Sequence, residues 1–261
     1  MAIIKPFLLG GIPVPDLSLF NDVAPSVFTD AVLHARAELP RESCGLIVRI
    51  DGARRYWPCR NVSATPAAHF AIDPVDQVAA ERVGTVEAIV HSHVLSAPEA
   101  SEADRLSCNA NGLPWLIVSA DGRHGWLEPV PGAPVPPLVG RAFYYGLSDC
   151  LTLLRDYYAL ELGIALPDFD RGAPDWWRRG ENRFVENIQA AGFVEATGRR
   201  QPHDVLLMQV LGSNVPNHCA IWIGDGRILH QVENRLSGYA VFGGALEKAT
   251  ARVCRHQSFI G

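Results

Sequence analysis

Residues 86–104 read VEAIVHSHVLSAPEASEAD, and this stretch decides the fold of the first half of the chain. The apolar, β-branched run at its start predicts a strand that carries His91 and His93 at its end. Because side chains alternate across a strand, two histidines spaced i, i+2 point to the same face. The strand therefore presents two imidazoles side by side.

A helix is predicted directly after this strand. Ser96 fits an N-cap, and Glu99, three positions on, completes the pattern of a capping box with Pro98 in the first turn. On that helix Ser101 and Asp104 are spaced i, i+3 and share one face. The helix therefore brings a carboxylate toward the two histidines.

Two imidazoles and one carboxylate leave a fourth position for water, which is typical of a catalytic zinc site. We therefore predict that His91, His93 and Asp104 bind Zn2+. Bound zinc lowers the pKa of water toward neutrality, and a carboxylate outside the ligand set must then take the proton. Glu42 is the candidate for this general base, and Ser101 is the candidate donor to the developing oxyanion.

The spacing Glu…His-x-His-x7-Ser-x2-Asp resembles the JAMM motif of the JAB/MPN metallopeptidases, and its residues here are Glu42, His91, His93, Ser101 and Asp104. One departure is Val94, where the family usually has proline after the second histidine. A lone His-x-His pair is more often two ordinary structural histidines, but five residues in register favour the metal site. The resemblance implies a JAB/MPN-like mixed sheet flanked by helices, and hydrolysis of amide or isopeptide bonds.

The composition is that of a globular chain without a strongly charged surface. Of 261 residues, 48% are hydrophobic and 20% are charged, with a net charge of −5, which argues against nucleic-acid binding. No apolar run is long enough to span a bilayer. Prolines at 6, 13 and 15 surround the apolar run 7–9, so we expect no signal peptide and folding in a cytoplasm. The six cysteines form no CxxC pair, which argues against a disulfide framework or a zinc ribbon.

A proline-rich segment divides the chain. Residues 128–140 read EPVPGAPVPPLVG, and the five prolines favour an extended spacer. We therefore predict one domain over residues 1–127, a linker over 128–140 and a second domain over 141–261. In the first domain we predict a mixed α/β sheet flanked by helices. Its predicted helices include 26–38 and 74–82, and its strands include 45–50, 56–61 and 114–119.

The second domain begins with a candidate nucleophile. Ser148 or Asp149 can cap a helix whose apolar face continues to about Leu162, and this places Cys150 in the first turn. The helix dipole and the free N–H groups there favour the thiolate, which is the reactive form of cysteine. A cysteine nucleophile also needs a base.

Two histidines on a predicted β-hairpin provide this base and its partner. His218 lies on a strand over 218–223, and His230 lies on the returning strand over 227–232. A two-residue loop would put the two side chains on opposite faces. A three-residue loop or an equivalent bulge would pair Ala220 with His230 and put both histidines on one face, and we predict this register.

This half resembles the NlpC/P60 (C40) cysteine peptidases, which have a papain-like fold of the α+β class. The resemblance rests on Asp149-Cys150, on the run NHCAIWIG at 217–224, and on His230. It implies that Cys150 is the nucleophile, His218 the base and His230 the residue that orients His218. The alternative is a buried structural thiol with two ordinary histidines, but all three residues fall on the predicted helix and hairpin.

A JAMM module followed by a C40 module in a chain of this size resembles the tail tip assembly proteins of lambda-type phages. This resemblance implies a phage tail protein with two peptidase centres. They would cut amide bonds in peptidoglycan stem peptides or in a tail protein, during tail assembly or penetration of the host cell. It further implies that other tail tip proteins are partners, and that the chain acts in the host cytoplasm during assembly or at the virion tail tip.

Two other interpretations stay open. A structural tail-tip component could keep both folds without chemistry, although intact sets of five and three reactive residues argue against this. A cellular JAB-type isopeptidase could remove ubiquitin-like modifiers, although the attached C40 half is better suited to wall peptides.

Overall fold

The computed structural model describes residues 23–94 and 96–260, which form two compact units that divide between residues 133 and 134. The expected absence of a signal peptide concerns residues that lie outside this described part. Within these ranges, no helix is both long enough and apolar enough to cross a membrane.

The first unit is built on a five-stranded mixed sheet with the order β2-β1-β3-β4-β5. Its strands are β1 Cys44–Ile50, β2 Ala53–Cys59, β3 Thr85–His93, β4 Trp115–Ser119 and β5 His124–Leu127. Strands β3 and β4 run parallel, and the other neighbours are antiparallel. The predicted mixed sheet is therefore confirmed, and β3 with its two histidines lies at its centre.

The described part of this unit contains three helices: α1 Pro25–Glu38, α2 Pro74–Val83 and α3 Glu102–Asn111. Helix α1 buries one side of the sheet, where Ala31 and Ala35 pack with Val90 of β3. Helix α2 covers the other side through Ala80. Because alanine has a short side chain, both helices approach the sheet closely. Strand β3 is thus packed from both sides, and the direction of its last side chains is fixed.

The helix that carries Asp104 begins later than predicted. Ser101 is the N-cap of α3, and Asp104 at the third helical position completes the capping box. Residues 96–100 are not helical. Nδ1 of His93 donates to the carbonyl oxygen of Ala97, and the Ser96 hydroxyl also lies 3.2 Å from this nitrogen. The prediction that Ser96 caps the helix was therefore wrong, because these groups bind the histidine instead.

The second unit contains a six-stranded antiparallel sheet with the order β10-β9-β8-β7-β11-β6. Its strands are β6 Phe193–Glu195, β7 Val205–Met208, β8 His218–Gly224, β9 Arg227–His230, β10 Gly238–Val241 and β11 Thr250–His256. Its helices are α4 Cys150–Leu162, α5 Arg183–Ile188 and α6 Ala245–Ala249. This is the α+β arrangement predicted for the second half.

Helix α4 packs across the middle of this sheet. Leu154 and Tyr158 of α4 are buried in one cluster with Ile221 of β8. The Tyr158 hydroxyl donates to the carbonyl oxygen of His203 at 2.5 Å, which satisfies its only buried polar group. The helix ends at Gly163, whose φ of 66° is left-handed. The predicted helix is confirmed, and its N-terminus is held above β8.

Strand β5 lies very close to the segment that follows β3. A Cβ added to Gly125 would lie 2.0 Å from the carbonyl oxygen of Pro98, which is backbone and cannot rotate away. We expect Gly125→Ala to lower the free energy of unfolding by about 1–3 kcal/mol through this overlap, as measured by urea denaturation. A Cβ at Gly238 would meet nothing within 4 Å, so Gly238→Ala is the control. Equal unfolding free energies for the two variants would contradict the close approach.

Candidate functional site

The end of β3 and the start of α3 bring three ligand-type side chains together. Nε2 of His91 lies 3.3 Å from Oδ1 of Asp104, and Nε2 of His93 lies 3.3 Å from Oδ2 of the same carboxylate. One ligand atom from each of these three residues lies within 4.8 Å of the other two. The residues predicted as metal ligands therefore meet in space.

The spacing of these atoms fits a small divalent ion. Tetrahedral bonds of about 2.0–2.1 Å hold neighbouring ligand atoms about 3.4 Å apart, close to the 3.3 Å separations found here. Nδ1 of His93 donates to Ala97 at 2.9 Å, so Nε2 is the nitrogen that faces the other ligand atoms. Such a contact to the second ring nitrogen is typical of metal-binding histidines. The three residues are thus suited to hold a metal ion.

The charges of the triad are set by burial and by its own hydrogen bonds. Burial lowers the pKa of His91, whereas a hydrogen bond to Asp104 raises the pKa of His93. For Asp104, burial acts to raise the pKa, but hydrogen bonds from His91 and His93 outweigh it and hold the pKa well below its usual range. The carboxylate therefore stays ionised between the two rings.

Ser101 fixes the direction of the Asp104 side chain. Oδ2 of Asp104 accepts a hydrogen bond from the backbone N–H of Ser101 at 2.8 Å, and the Ser101 hydroxyl oxygen accepts from the backbone N–H of Asp104 at 3.1 Å. The hydroxyl is an acceptor in this contact, so its hydrogen remains available for donation. Ser101 itself is exposed at the edge of the triad.

Glu42 lies beside the triad and is 7% exposed. Its backbone is held on both sides, because its N–H donates to Pro66 and its carbonyl oxygen accepts from the side chain of Asn61. Burial raises the pKa of Glu42 to about 7, an effect that the charge of His93 opposes and that of Asp104 reinforces. A carboxyl group that titrates near neutral pH is suited to accept and return a proton.

Aromatic rings around His91 were not predicted from the sequence. Phe70 stacks on the imidazole with ring centroids 4.6 Å apart, and Trp115 meets it edge-on at 5.3 Å. Phe70 lies in an irregular segment before α2, where no periodicity gives a signal. Trp115 opens β4, and only the parallel pairing of β4 with β3 brings it near His91.

In the second unit, Asp149 caps the helix that carries Cys150. Oδ1 of Asp149 accepts hydrogen bonds from the backbone N–H groups of Leu151 and Thr152, and Oδ2 accepts from Gly146. The Ser148 hydroxyl instead donates to the carbonyl oxygen of Ala142. Of the two caps that the sequence left open, the structure uses Asp149, and Cys150 is the first residue of α4.

The β8–β9 hairpin places both of its histidines on one face. Ala220 pairs with His230, and the register shifts between Trp222 and Gly224. A two-residue turn at Asp225-Gly226, with both φ angles positive, closes the hairpin. The predicted register is confirmed, and it arises from the bulge rather than from a three-residue loop.

Cys150, His218 and His230 are neighbours in space, and His218 lies between the other two. His218 lies close enough to the thiol of Cys150 to lower its pKa. Nε2 of His218 lies 3.4 Å from Nδ1 of His230. The structure therefore brings together the three residues predicted as nucleophile, base and orienting group.

The pKa shifts of Cys150 and His230 favour a reactive sulfur on Cys150. Hydrogen bonds from Cys219 and from His218 lower the pKa of the Cys150 thiol, and they outweigh the burial that raises it. Burial lowers the pKa of His230 to about 4, and the nearby His218 acts in the same direction. A neutral His230 with its proton on Nε2 accepts a hydrogen bond at Nδ1 from the Nε2–H of His218.

Two further residues of this site were not predicted. Arg171 binds Oδ2 of Asp149 through Nε at 3.0 Å and the Thr152 hydroxyl through Nη2 at 3.1 Å. The thiol of Cys219 donates to the carbonyl oxygen of Cys150 at 3.3 Å. Arg171 lies in an irregular segment without a periodic signal. Cys219 is adjacent to His218, and this was the signal that the sequence offered.

Both units match known families, and the chain has similar proteins over most of its length. Residues 24–128 match the family described as prokaryotic homologs of the JAB domain, and residues 140–255 match the NlpC/P60 family. Tail tip assembly protein K of Escherichia phage N15 is 37% identical over 238 residues, which cover 89% of this chain and 95% of that protein. Tail tip assembly protein K of Escherichia phage lambda is 40% identical over 189 residues, which cover 72% of this chain and 90% of that protein. The desampylase of Haloferax volcanii is 34% identical over 121 residues, which cover 42% of this chain and 87% of that protein.

Asp149 should contribute strongly to the stability of the second unit. Asp149→Ala removes the cap of α4 and deprives the largely buried Arg171 of one of its ion pairs. We expect a loss of about 3 kcal/mol in the free energy of unfolding, measured by urea denaturation. Asp175→Ala breaks an exposed ion pair with Arg179 and should change the free energy of unfolding by less than about 1 kcal/mol. Similar losses for the two variants would contradict this role.

Proposed function

Because the chain belongs to the tail tip assembly protein K family, we propose that it is a bifunctional hydrolase of amide bonds that acts in tail tip assembly or in penetration of the host cell. The observation that carries the proposal is the presence in one chain of two separate sets of converging reactive side chains. The first unit is of the JAB type and the second of the NlpC/P60 type, and both families suggest hydrolase activity.

We propose that the metal of the first unit is zinc, held by His91, His93 and Asp104. Two imidazole nitrogens and one carboxylate oxygen are a donor set of catalytic zinc enzymes, and they leave room for water. When bound, zinc supplies a Lewis acid and lowers the pKa of water.

Glu42 and Ser101 complete this centre. Glu42 is buried beside the ligands and takes the proton of the attacking water, then returns it to the leaving nitrogen. Ser101 uses its hydroxyl oxygen to cap α3 and donates its hydrogen to the oxyanion of the substrate. The scissile bond would be an amide or isopeptide bond.

In the second unit, the sulfur of Cys150 attacks the carbonyl carbon of a peptide bond. His218 holds the thiol proton and passes it to the leaving amine, which leaves a thioester on Cys150. Water then cleaves the thioester, with His218 as the base. His230 acts through His218, whose ring it holds by the contact between Nε2 and Nδ1.

We propose peptidoglycan stem peptides or a tail protein as substrates, and other tail tip proteins as partners. A tail component that works during infection meets the bacterial wall, which favours wall peptides for the cysteine centre. One that works during assembly meets tail proteins in the host cytoplasm, and one that is built into the particle stays at the virion tail tip. We further propose that residues 128–140 link the two catalytic domains.

A deconjugating isopeptidase is the second candidate function, and it is favoured by the 34% identity to a desampylase. That likeness covers 42% of the chain, and it leaves the cysteine centre without a role. The two functions differ in the substrate that the first unit cuts, which is a modifier conjugate in one case and a tail or wall amide in the other.

Metal content tests the first centre. The purified protein should contain about one zinc per chain, and Asp104→Ala should abolish this content because only two ligands remain. Asp30, an exposed residue of α1, provides the control, and Asp30→Ala should retain the metal. Metal-free wild-type protein would reduce this unit to a scaffold.

Cleavage assays test the second centre and choose between the substrates. Cys150→Ala should lower the release of peptides from purified peptidoglycan by at least about 10³-fold, because the nucleophile is lost. Cys254→Ala, which removes a buried thiol of β11, should retain the activity.

Immunoblots of assembling tails made with Cys150→Ala or Glu42→Ala reveal any tail protein that is cut, and identify the centre that cuts it. Undiminished release of peptides from peptidoglycan by Cys150→Ala would remove the thiol mechanism. If neither peptidoglycan nor a tail protein is cut by the wild type, the chain is a structural component.

A further inference from the structure

Cys219 is a second thiol at the cysteine centre, and the proposed reaction gives it no part. It follows His218 directly on β8 and is 1% exposed. Its side chain lies in the cluster formed between α4 and the sheet. Consecutive residues of one strand therefore contact the same cysteine: His218 at the sulfur and Cys219 from within the core.

The contacts of Cys219 involve both the backbone and the side chain of Cys150. Its sulfur lies 3.3 Å from the carbonyl oxygen of Cys150. The two thiols are also close enough for each to shift the pKa of the other. A thiol hydrogen rotates about the Cβ–Sγ bond, so the same group donates to the carbonyl oxygen or to a sulfur anion without any movement of the backbone.

We propose that Cys219 is a positioning residue that holds the first turn of α4 against β8 and donates its S–H to the Cys150 thiolate. This inference rests on the proposed thiol chemistry. It adds that the reactive sulfur is stabilised from two directions, by the imidazole of His218 on one side and by a neutral thiol on the other.

The surroundings of the two thiols determine which of them loses its proton. Cys150 is at the N-terminus of α4, where free N–H groups and His218 favour a negative charge. Cys219 is enclosed in the core, and burial followed by its contact with Cys150 raises its pKa. When one proton leaves the pair, it therefore leaves Cys150, and Cys219 keeps the hydrogen that it donates.

A purely structural role for Cys219 would make a different prediction. A small buried side chain contributes packing, and its loss changes stability without changing the titration of its neighbour. A hydrogen-bond donor changes the pKa of the acceptor, and another donor of similar size preserves the effect. Cys219→Ala and Cys219→Ser therefore distinguish a packing role from a hydrogen-bonding role.

The test is the rate at which iodoacetamide alkylates Cys150 in the full-length chain, followed between pH 4 and 10 by mass spectrometry of the peptide that contains Cys150. Only the thiolate reacts, so the midpoint of the pH profile reports the pKa of Cys150. For Cys219→Ala we expect the midpoint to rise by about one unit, with alkylation about tenfold slower below it. Cys219→Ser keeps a donor, so its midpoint should stay nearer to the wild type.

Cys254→Ala is the matched control, because Cys254 is a buried thiol in the same cluster. Its midpoint should equal that of the wild type. Thermal unfolding of each variant shows whether the chain is folded at the temperature of the assay. If Cys219→Ala is unfolded at that temperature, Cys219→Ser is compared with the wild type instead. A midpoint for Cys219→Ser that lies a full unit above that of the wild type overturns the inference.

The outcomes separate this inference from the proposed function. An ordinary midpoint near about 8.5 in the wild type overturns the thiol mechanism and the inference with it. A lowered midpoint in the wild type that is unchanged in Cys219→Ala overturns the inference alone. Equal rises in the alanine and serine variants also overturn it, because packing would then account for the effect.

Discussion

Carboxylates that accept hydrogen bonds from free backbone N–H groups at a helix N-terminus hold both candidate sites in place. The first N–H groups of a helix have no partner within the helix, and an aspartate at the right position satisfies them. Asp104 binds the N–H of Ser101 while its oxygens face His91 and His93. Asp149 binds the N–H groups after Cys150 and so fixes the start of α4. In each unit, one local contact sets the position of a reactive group.

Neighbouring groups at both sites are pushed toward opposite protonation states. In the first unit burial raises the pKa of Glu42 to about 7, whereas the two histidines keep Asp104 ionised. In the second unit the pKa of Cys150 is lowered and that of Cys219 is raised. When the pKa values of neighbouring groups diverge in this way, one group is charged at a pH where the other still holds its proton. Burial raises the pKa of Glu42 and of Cys219, whereas hydrogen bonds outweigh burial at Asp104 and Cys150 and lower the pKa there.

The sequence was most informative where a short period or a cap determines direction. The alternation of side chains in residues 86–93 correctly placed His91 and His93 together, and the expectation of a three-residue loop or an equivalent bulge gave the pairing of Ala220 with His230. It failed where two local patterns compete. Ser96 and Ser101 each begin a Ser-x-x-acid pattern, and the contacts of His93 with the segment after β3 decide between them.

Other parts of the sites depend on tertiary pairing, which leaves no local pattern. Phe70 and Arg171 come from irregular segments, and each reaches its partner only after the chain has folded. Strands β5, β6, β7, β10 and β11 likewise owe their place to their neighbours in the sheets. Strand register and helix caps can thus be predicted from one sequence where a single local pattern applies, whereas the groups that enclose a site cannot.

The two centres differ in how their charge is balanced. Asp149 is buried but is paired with Arg171, so the carboxylate beside Cys150 is compensated within the chain. Glu42 and Asp104 lie close enough for the charge of Asp104 to raise the pKa of Glu42, and His93 is the cation that opposes this effect. Two buried carboxylates beside one partly buried imidazole favour an additional positive charge, because a cation relieves both their repulsion and their loss of hydration. The first site is therefore suited to hold a positive ion, whereas the buried carboxylate of the second is balanced by a side chain of the protein itself.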